Sequence, residues 1–359
     1  KTNVVGDLAR IAERLRQDAE VVFPCVVDTL DSADRAGRVF LDALARAVAR
    51  GVAVRVIVDD LGARYSWPSI VGRLRRAQIP VARFLAKILP RALPYANLRN
   101  HRKILVVDGR IGFAGGMNIR AGHWLARAPA HPVRCVHFRV DGPVVADMQH
   151  AFADDWAFTT GERLEGERWF APAARHGPVA ARGVPDGPDG EIDNLLEILL
   201  GALSVATRRA RIVTPYFLPD SEVLRALHVA ALRGVEVEIV LPARSNVPLM
   251  DWAMVPQLPE LIEKGCRIYF APPPFDHSKL FVVDGTWSLI GSTNWDARSL
   301  RLNFEYNLEC YDRDLATAID AIIDAKIAVS RPVVRDELLA LPYAVRLRNG
   351  VARLFSPYL

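Results

Sequence analysis

Two stretches of the sequence repeat one set of polar residues that could act on a phosphate group. Each has a histidine, a lysine two residues later and an aspartate five residues after that, followed by a glycine and an asparagine. The two copies are His101, Lys103, Asp108, Gly115 and Asn118, and His277, Lys279, Asp284, Gly291 and Asn294. At average residue usage one such match arises by chance on the order of once in 10⁷ starting positions. The duplicated pattern is therefore not accidental.

These residue types suit nucleophilic and acid–base chemistry at phosphorus. A neutral imidazole could attack phosphorus while a protonated one gives its proton to the leaving oxygen. An unperturbed histidine pKa of about 6.5 makes both forms available near neutral pH. Lys103 and Lys279 would bind the non-bridging oxygens, and Asn118 and Asn294 would add neutral donors. Because the lysines bring the positive charge, the pattern requires neither a metal ion nor another cofactor.

Short strands must hold these side chains. A histidine and a lysine two residues apart on a strand project from the same face. The apolar runs Ile104–Val107 and Leu280–Val283 predict buried strands directly after each pair, and an Asp-Gly turn then leads back into the next strand. If the halves pack about a pseudo-twofold axis, the two sets of side chains converge on one site.

The surrounding sequence also repeats, with helical and strand patterns alternating in each half. Residues 47–58 return as residues 230–241, each a helix end, a glycine and a β-branched strand. The predicted helices are Val39–Val48, Ile70–Ala77, Val144–Trp156, Ile192–Thr207, Glu222–Arg233, Gln257–Lys264 and Leu315–Val329, and the predicted strands are Val52–Val58, Ile104–Val107, Gly112–Ala114, Arg211–Thr214, Val235–Leu241, Arg267–Phe270, Leu280–Val283 and Ser288–Ile290. This alternation predicts a layered α/β fold with mixed sheets between helices. We predict domains at 1–175 and 191–359, joined by a linker at 176–190 that is dense in glycine and proline.

Composition limits the class of protein. With 359 residues, 51% hydrophobic and 24% charged, the chain is long enough for two cores and is not disordered. A net charge of +5 favours anionic partners without selecting one. The four cysteines, at positions 25, 135, 266 and 310, show no spacing typical of zinc sites or disulfide frameworks. We expect surface or capping positions for the six histidines outside the motifs.

At the motifs the sequence resembles the phospholipase D superfamily, and its flanks are similar to the bacterial cardiolipin synthase branch. The similar flanks are residues 138–143, 214–219 and 291–308. The resemblance implies two α-β-α layered domains related by a pseudo-twofold axis, with one shared active site. It also implies transfer of a phosphatidyl group to an alcohol or to water through a covalent phosphohistidine intermediate.

The resemblance further implies roles for individual residues. His101 would be the nucleophile and His277 the general acid and base. The carboxylate of Glu305 would orient His101. Asp108 and Asp284 complete the catalytic set and would mostly brace the motifs.

Two positions depart from the pattern of the superfamily. Gly116 stands where a serine usually follows the motif glycine. Cys135 stands where the superfamily usually has an aspartate that orients the second histidine. A thiol is a weak acceptor without a dependable charge. The sequence therefore leaves open what orients His277.

The leading hypothesis is a phosphatidyltransferase of the cardiolipin synthase type, with phosphatidylglycerol as the expected lipid substrate. Alternatives are hydrolysis by the same site, as in a phospholipase D, a nuclease or other phosphodiesterase, and an inactive lipid-binding scaffold. A nucleic-acid partner is not expected, because basic residues are not concentrated in runs with aromatic ones. The oligomeric state stays open.

A membrane surface is the expected partner, with the protein peripheral to the bacterial inner membrane on its cytoplasmic side. No window of about 18 uncharged apolar residues predicts a span. The first residue is Lys1, so we expect further N-terminal sequence, with room for an anchor, to precede it. In the segment 83–95, Phe84, Leu85, Ile88 and Leu89 share a helical face beside basic residues, which suggests either a membrane-dipping helix or one packed on the core.

Overall fold

Valine- and isoleucine-rich runs in each half pair into a mixed β-sheet, because branched side chains pack well on a pleated, buried surface. A computed structural model describes residues 3–4, 23–27, 34–63, 69–85 and 98–356. In these residues the first half forms a seven-stranded sheet, and the second half supplies eight strands of a nine-stranded sheet whose ninth strand, Arg99–Asn100, comes from the first half. The strands up to residue 141 are β1 Asn3–Val4, β2 Phe23–Val27, β3 Val54–Asp59, β4 Val81–Phe84, β5 Arg99–Asn100, β6 Ile104–Val107, β7 Ile111–Gly115, β8 Val133–Arg134 and β9 His137–Asp141.

The second half contains a further set of strands around its own motif. These are β10 Ala180–Asp186, β11 Arg209–Val213, β12 Phe217–Leu218, β13 Glu236–Pro242, β14 Arg267–Ala271, β15 Phe275–Asp276, β16 Leu280–Val283, β17 Trp287–Gly291, β18 Trp295–Asp296, β19 Asn303–Tyr311 and β20 Arg331–Pro332. The helices are α1 Arg35–Ala49, α2 Asp60–Ala63, α3 Ile70–Arg76, α4 Val144–Thr160, α5 Asn194–Val205, α6 Ser221–Leu232, α7 Pro248–Met254, α8 Leu258–Glu263, α9 Ala297–Arg301, α10 Arg313–Ala328, α11 Arg335–Leu339 and α12 Tyr343–Arg353. Aspartates at 34, 220 and 312 cap α1, α6 and α10 by accepting hydrogen bonds from first-turn N–H groups.

Six strands in each sheet follow the same spatial order. The order is β9-β7-β6-β2-β3-β4 in the first half and β19-β17-β16-β11-β13-β14 in the second. In both sheets the first three pairings are antiparallel and the last two are parallel. The prediction of two similar α/β halves is confirmed.

Helices cover both faces of each sheet. In the first half α1 and α3 pack on one face and α4 on the other. In the second half α5, α6 and α8 pack on one face and α10 on the other. The core that contains α4 and α10 also contains side chains from both sheets, so the two halves share it.

The stretch 176–190, predicted as a linker, contributes a strand to the second sheet. β10 pairs antiparallel with β19, in a register that sets Ala180 opposite Tyr311 and Asp186 opposite Glu305. Proline and glycine are tolerated at a sheet edge, where one side of the backbone needs no partner. Their density in the sequence therefore hid this strand.

Of the two alternatives for the segment 83–95, core packing is confirmed for Phe84 and membrane contact is wrong, although the residue lies in a strand and not in a helix. This residue ends β4, is 1% exposed and packs edge-to-face on Phe304, with ring centroids 5.0 Å apart. Leu85 is half-buried against the same core. The spacing suggested a helical face, but residues 81–84 alternate about a sheet instead. Residues 86–95 lie outside the described residues.

None of the described helices is long and apolar enough to cross a membrane.

Candidate active site

Short strand pairs that cross between the halves hold both motif histidines. β5 runs parallel to the start of β19, and the N–H of His101 donates to the carbonyl of Phe304 at 2.8 Å. β15 runs parallel to β8, and the N–H of His277 donates to the carbonyl of Arg134 at 2.7 Å. Each half thus supplies backbone that fixes the other half's histidine. The two sets of motif side chains form one site.

The lysines of the motifs are buried beside their histidines. Nζ of Lys103 donates to the carbonyl of His101 at 2.8 Å, and Nζ of Lys279 donates to the carbonyl of His277 at the same distance. Burial, together with the positive charge of Lys103, lowers the pKa of Lys279 to about 7. A bound anion would offset both effects and restore the charge. The site is therefore arranged to receive a negatively charged group.

A completely buried carboxylate orients His101. Nδ1 of His101 donates to Glu305, with distances of 2.8 and 2.9 Å to its two carboxylate oxygens. The hydroxyl of Ser292 donates to Glu305 at 2.5 Å and the amide of Asn303 at 3.2 Å, so the charge is well solvated by donors. This arrangement sets the proton of His101 on Nδ1 and leaves the Nε2 lone pair for chemistry.

A backbone carbonyl orients His277. Nδ1 of this ring donates to the carbonyl oxygen of Gly116 at 2.9 Å. A Cβ at Gly116 would lie 2.6 Å from the carbonyl oxygen of His277 and 2.9 Å from Sγ of Cys135. Only glycine permits this approach of two backbones. The structure thereby answers the question that the sequence left open.

Sheet register relates Cys135 to Glu305. Glu305 lies two residues before the strand partner of Gly291, and Cys135 lies two residues before the strand partner of Gly115. Cys135 thus stands in the first half where the carboxylate stands in the second. Burial raises the pKa of its thiol to about 12, and the neutral Sγ–H donates to the carbonyl of His277 at 3.3 Å.

The surroundings of His277 keep its ring neutral. Burial, followed by the positive charge of Lys279, lowers the pKa of His277 well below its ordinary value. Nζ of Lys279 lies 3.1 Å from Nδ1 of the ring. The positive charge of Lys103, in the other motif, acts in the same direction.

Two further histidines are buried, and the expectation of surface positions is wrong for them. His123 and His137 are both 5% exposed, and burial lowers the pKa of each to about 3. The ring of His123 lies 6.0 Å from that of His277, and the ring of Tyr216 lies 6.2 Å from it on an edge-to-face contact. No spacing in the sequence marks these residues, because loops and strands distant in sequence bring them together.

Each motif asparagine has a buried side-chain oxygen that could bind a ligand. The amide of Asn294 donates to Ser299 at 3.0 Å. The side-chain oxygens of Asn118 and Asn294 are buried without a hydrogen-bond partner among the described residues. Buried polar atoms of this kind call for a bound ligand or water.

Asp284 supports the second motif from a turn. It has a φ of +53°, and its carboxylate accepts from the backbone N–H groups of Thr207, Arg208 and Arg209 at 2.8 to 2.9 Å. Although burial opposes the change, these donors lower the pKa of Asp284. Asp108 has the same backbone conformation, with a φ of +54°, in the first motif. The contacts of Asp284 tie the turn after β16 to the start of β11.

No group of three or more histidine, cysteine, aspartate or glutamate side chains could hold a metal ion in the part of the chain that the structure describes.

The duplicated fold and the paired motifs define an enzyme of the phospholipase D superfamily. A family model described as "Cardiolipin synthase, PLD-like domain" matches residues 29–156 and 199–327. The chain therefore belongs to the cardiolipin synthase family of phospholipase D-like proteins, and the predicted resemblance is confirmed.

Individual relatives agree with this assignment. The chain is 32% identical over 360 residues to the cardiolipin synthase of Geobacillus thermodenitrificans, and the alignment covers 95% of this chain and 71% of the relative. It is 35% identical over 331 residues to cardiolipin synthase A of Pseudomonas fluorescens, covering 91% and 68%. In fold it is similar to phosphatidylserine synthase of Haemophilus influenzae, with a TM-score of 0.77 and 14% identity over 100% of this chain and 95% of that one.

Proposed function

We propose that this protein is a phosphatidyltransferase of the cardiolipin synthase type, which moves a phosphatidyl group between phospholipid alcohols. The observation that carries the proposal is the pairing of His101 with Glu305 and of His277 with Gly116, each across the two halves. Relatives named cardiolipin synthase support the choice of reaction. Phosphatidylglycerol is the proposed donor, and its phosphodiester would lie between the two histidines.

His101 acts as the nucleophile in this proposal. With its Nδ1 proton donated to Glu305, Nε2 carries the lone pair that attacks phosphorus. A P–N bond forms, the bond from phosphorus to the glycerol oxygen breaks, and the ring becomes positively charged. The buried carboxylate of Glu305 stabilises that charge as it develops.

His277 moves the proton in both steps. The negative phosphodiester offsets the charge of the lysines and raises the pKa of His277, so that Nε2 holds a proton while donor lipid is bound. That proton passes to the departing glycerol oxygen. In the second step neutral His277 takes the proton of an acceptor hydroxyl, the acceptor oxygen attacks phosphorus, and the P–N bond breaks.

The remaining motif residues hold the phosphate. The ammonium groups of Lys103 and Lys279 bind the non-bridging oxygens, and Asn118 and Asn294 complete the contacts. Because both lysines are buried, these charge pairs are stronger than they would be in water.

We propose that the protein works from the cytoplasmic side of the inner membrane as a peripheral protein, since its lipid substrates lie there. The test of function is incubation with phosphatidylglycerol vesicles, followed by mass spectrometry of the lipids. Equal amounts of cardiolipin and glycerol are expected. Phosphatidic acid as the main product would instead indicate a phospholipase D, and cleavage of a plasmid with no lipid turnover would indicate a nuclease.

A further inference from the structure

Helix α12 carries an exposed apolar stripe near the end of the described chain. Tyr343, Leu347, Val351 and Leu354 follow one another at spacings of four, four and three residues, which sets them on one side of the helix. They are 79%, 55%, 48% and 76% exposed. Contiguous apolar surface of this kind on a soluble domain marks an interaction site.

The opposite face of α12 is fixed to the second half of the protein. Asn349 and Ala352 are buried, and Ala352 packs with Met250 and Ala253 of α7. The helix is therefore anchored, and the fold itself turns the stripe outward.

The charged residues of α12 itself are all positive. Arg346 and Arg348 are exposed on either side of it, and Arg348 lies over the ring of Trp252 at 4.4 Å. No aspartate or glutamate occurs between residues 338 and 356. Arginines beside apolar and aromatic side chains suit the boundary between phosphate headgroups and acyl chains, where the guanidinium groups meet phosphate.

The side chains packed beneath α12 extend toward the proposed active site. The side chains packed under α12 include Tyr216, whose ring contacts that of His277 at 6.2 Å. Beside the helix runs an apolar groove of about 650 Å³, lined among others by Pro259, Leu338, Leu347 and Leu354.

We infer that α12 docks on an anionic phospholipid bilayer, with the stripe among the acyl chains and the arginines at the headgroups. The inference rests on the proposed function in that the docked face would supply lipid to the site. A bilayer is favoured over a protein partner because positive charge flanks the stripe on both sides with no carboxylate between. The membrane contact so assigned belongs to the second half of the chain, away from the segment 83–95.

The test is co-sedimentation of the full chain with vesicles of phosphatidylglycerol and phosphatidylcholine, or of phosphatidylcholine alone. The double variant Leu347→Asp/Leu354→Asp should lose at least about tenfold in binding to the anionic vesicles. The reason is that two apolar side chains are no longer transferred from water into the acyl chains. The matched control is Val229→Asp/Leu232→Asp, which adds the same charge at apolar positions of α6 that are 54% and 70% exposed. The control should bind as the unaltered protein does. Arg346→Gln/Arg348→Gln should remove the preference for anionic vesicles.

Turnover of a monodisperse short-chain phosphatidylglycerol separates this inference from the proposed function. The stripe variant should retain that turnover within about twofold while losing turnover on vesicles, because its active site is intact. A protein that binds vesicles through the stripe without turning over lipid would disprove the function and leave the docking face standing. Unchanged vesicle binding by the stripe variant, an equal loss in the control, or a dimer that the stripe variant dissociates would each overturn the inference.

Discussion

The carbonyl oxygen of Gly116 accepts a 2.9 Å hydrogen bond from Nδ1 of His277, across the two halves of the protein. The corresponding bond of the other motif runs from His101 to the carboxylate of Glu305. A neutral carbonyl stabilises an imidazolium less than a carboxylate does. The duplicated site is therefore electrostatically asymmetric, and its two histidines suit different tasks.

Gly116→Ala should impair catalysis without unfolding the protein. The added Cβ must push away the backbone of His277. Misplacing a catalytic group by about 1 Å costs about 10² in turnover. Gly72→Ala is the matched control, because a Cβ there meets nothing within 4 Å. Thermal unfolding and turnover on short-chain phosphatidylglycerol should be measured for both variants. Full activity in Gly116→Ala would show that this carbonyl does not position His277.

Cys135→Asp should shift the pH profile of turnover upward. A carboxylate beside His277 favours its charged form and raises its pKa, which burial and Lys279 now hold low. The basic limb of kcat, where lipid-bound His277 loses the proton it must donate, should move by about one pH unit to higher pH. The Cys135→Asn variant, whose new side chain has the shape of aspartate without its charge, should leave the basic limb where it is. An equal shift in both variants would contradict the electrostatic explanation.

A donor lipid with a p-nitrophenol leaving group should separate the roles of the histidines. This leaving group departs without protonation, so His277→Asn should still release one equivalent of nitrophenol in a burst and accumulate the phosphohistidine. His101→Asn should give no burst. Rapid-quench absorbance measures the nitrophenol burst, and mass spectrometry of the trapped protein detects the phosphohistidine. A burst in His101→Asn and none in His277→Asn would reverse the assignment.

Asp284→Asn should lower thermal stability in a pH-dependent way. Its backbone donors depress the carboxyl pKa below the ordinary value of 3.8, so the carboxylate stabilises the folded state above that pH. The stabilisation fades as the pH falls through the folded-state pKa. Calorimetry at pH 7 should show a lower unfolding temperature for Asp284→Asn, and the difference should shrink near pH 3. Asp154→Asn, at an exposed position, is the control.

Much of the site could be predicted from sequence because its parts are local. The spacing of His277 and Lys279 sets both on one strand end, and the following apolar run Leu280–Val283 is the strand observed. The two halves could likewise be recognised, since each repeats the same succession of elements. Phe84 and the strand Ala180–Asp186 were beyond such reasoning, because what covers a strand depends on chain segments far away in sequence.

The sequence by itself determined the chemistry: two histidines and two lysines in a duplicated motif with an offset of 176 residues (277 minus 101). Only the tertiary structure decided how His277 is held, whereas the resemblance already implied that Glu305 orients His101. Cys135 and Glu305 are 170 residues apart (305 minus 135), so the motif offset does not align them. The hydrogen-bonded strand register aligns them. The loops before β9 and β19 differ in length, but the strands pair in the same way in both halves. That register places a thiol in one half where the other half has a carboxylate. The carbonyl of Gly116 therefore orients His277 instead.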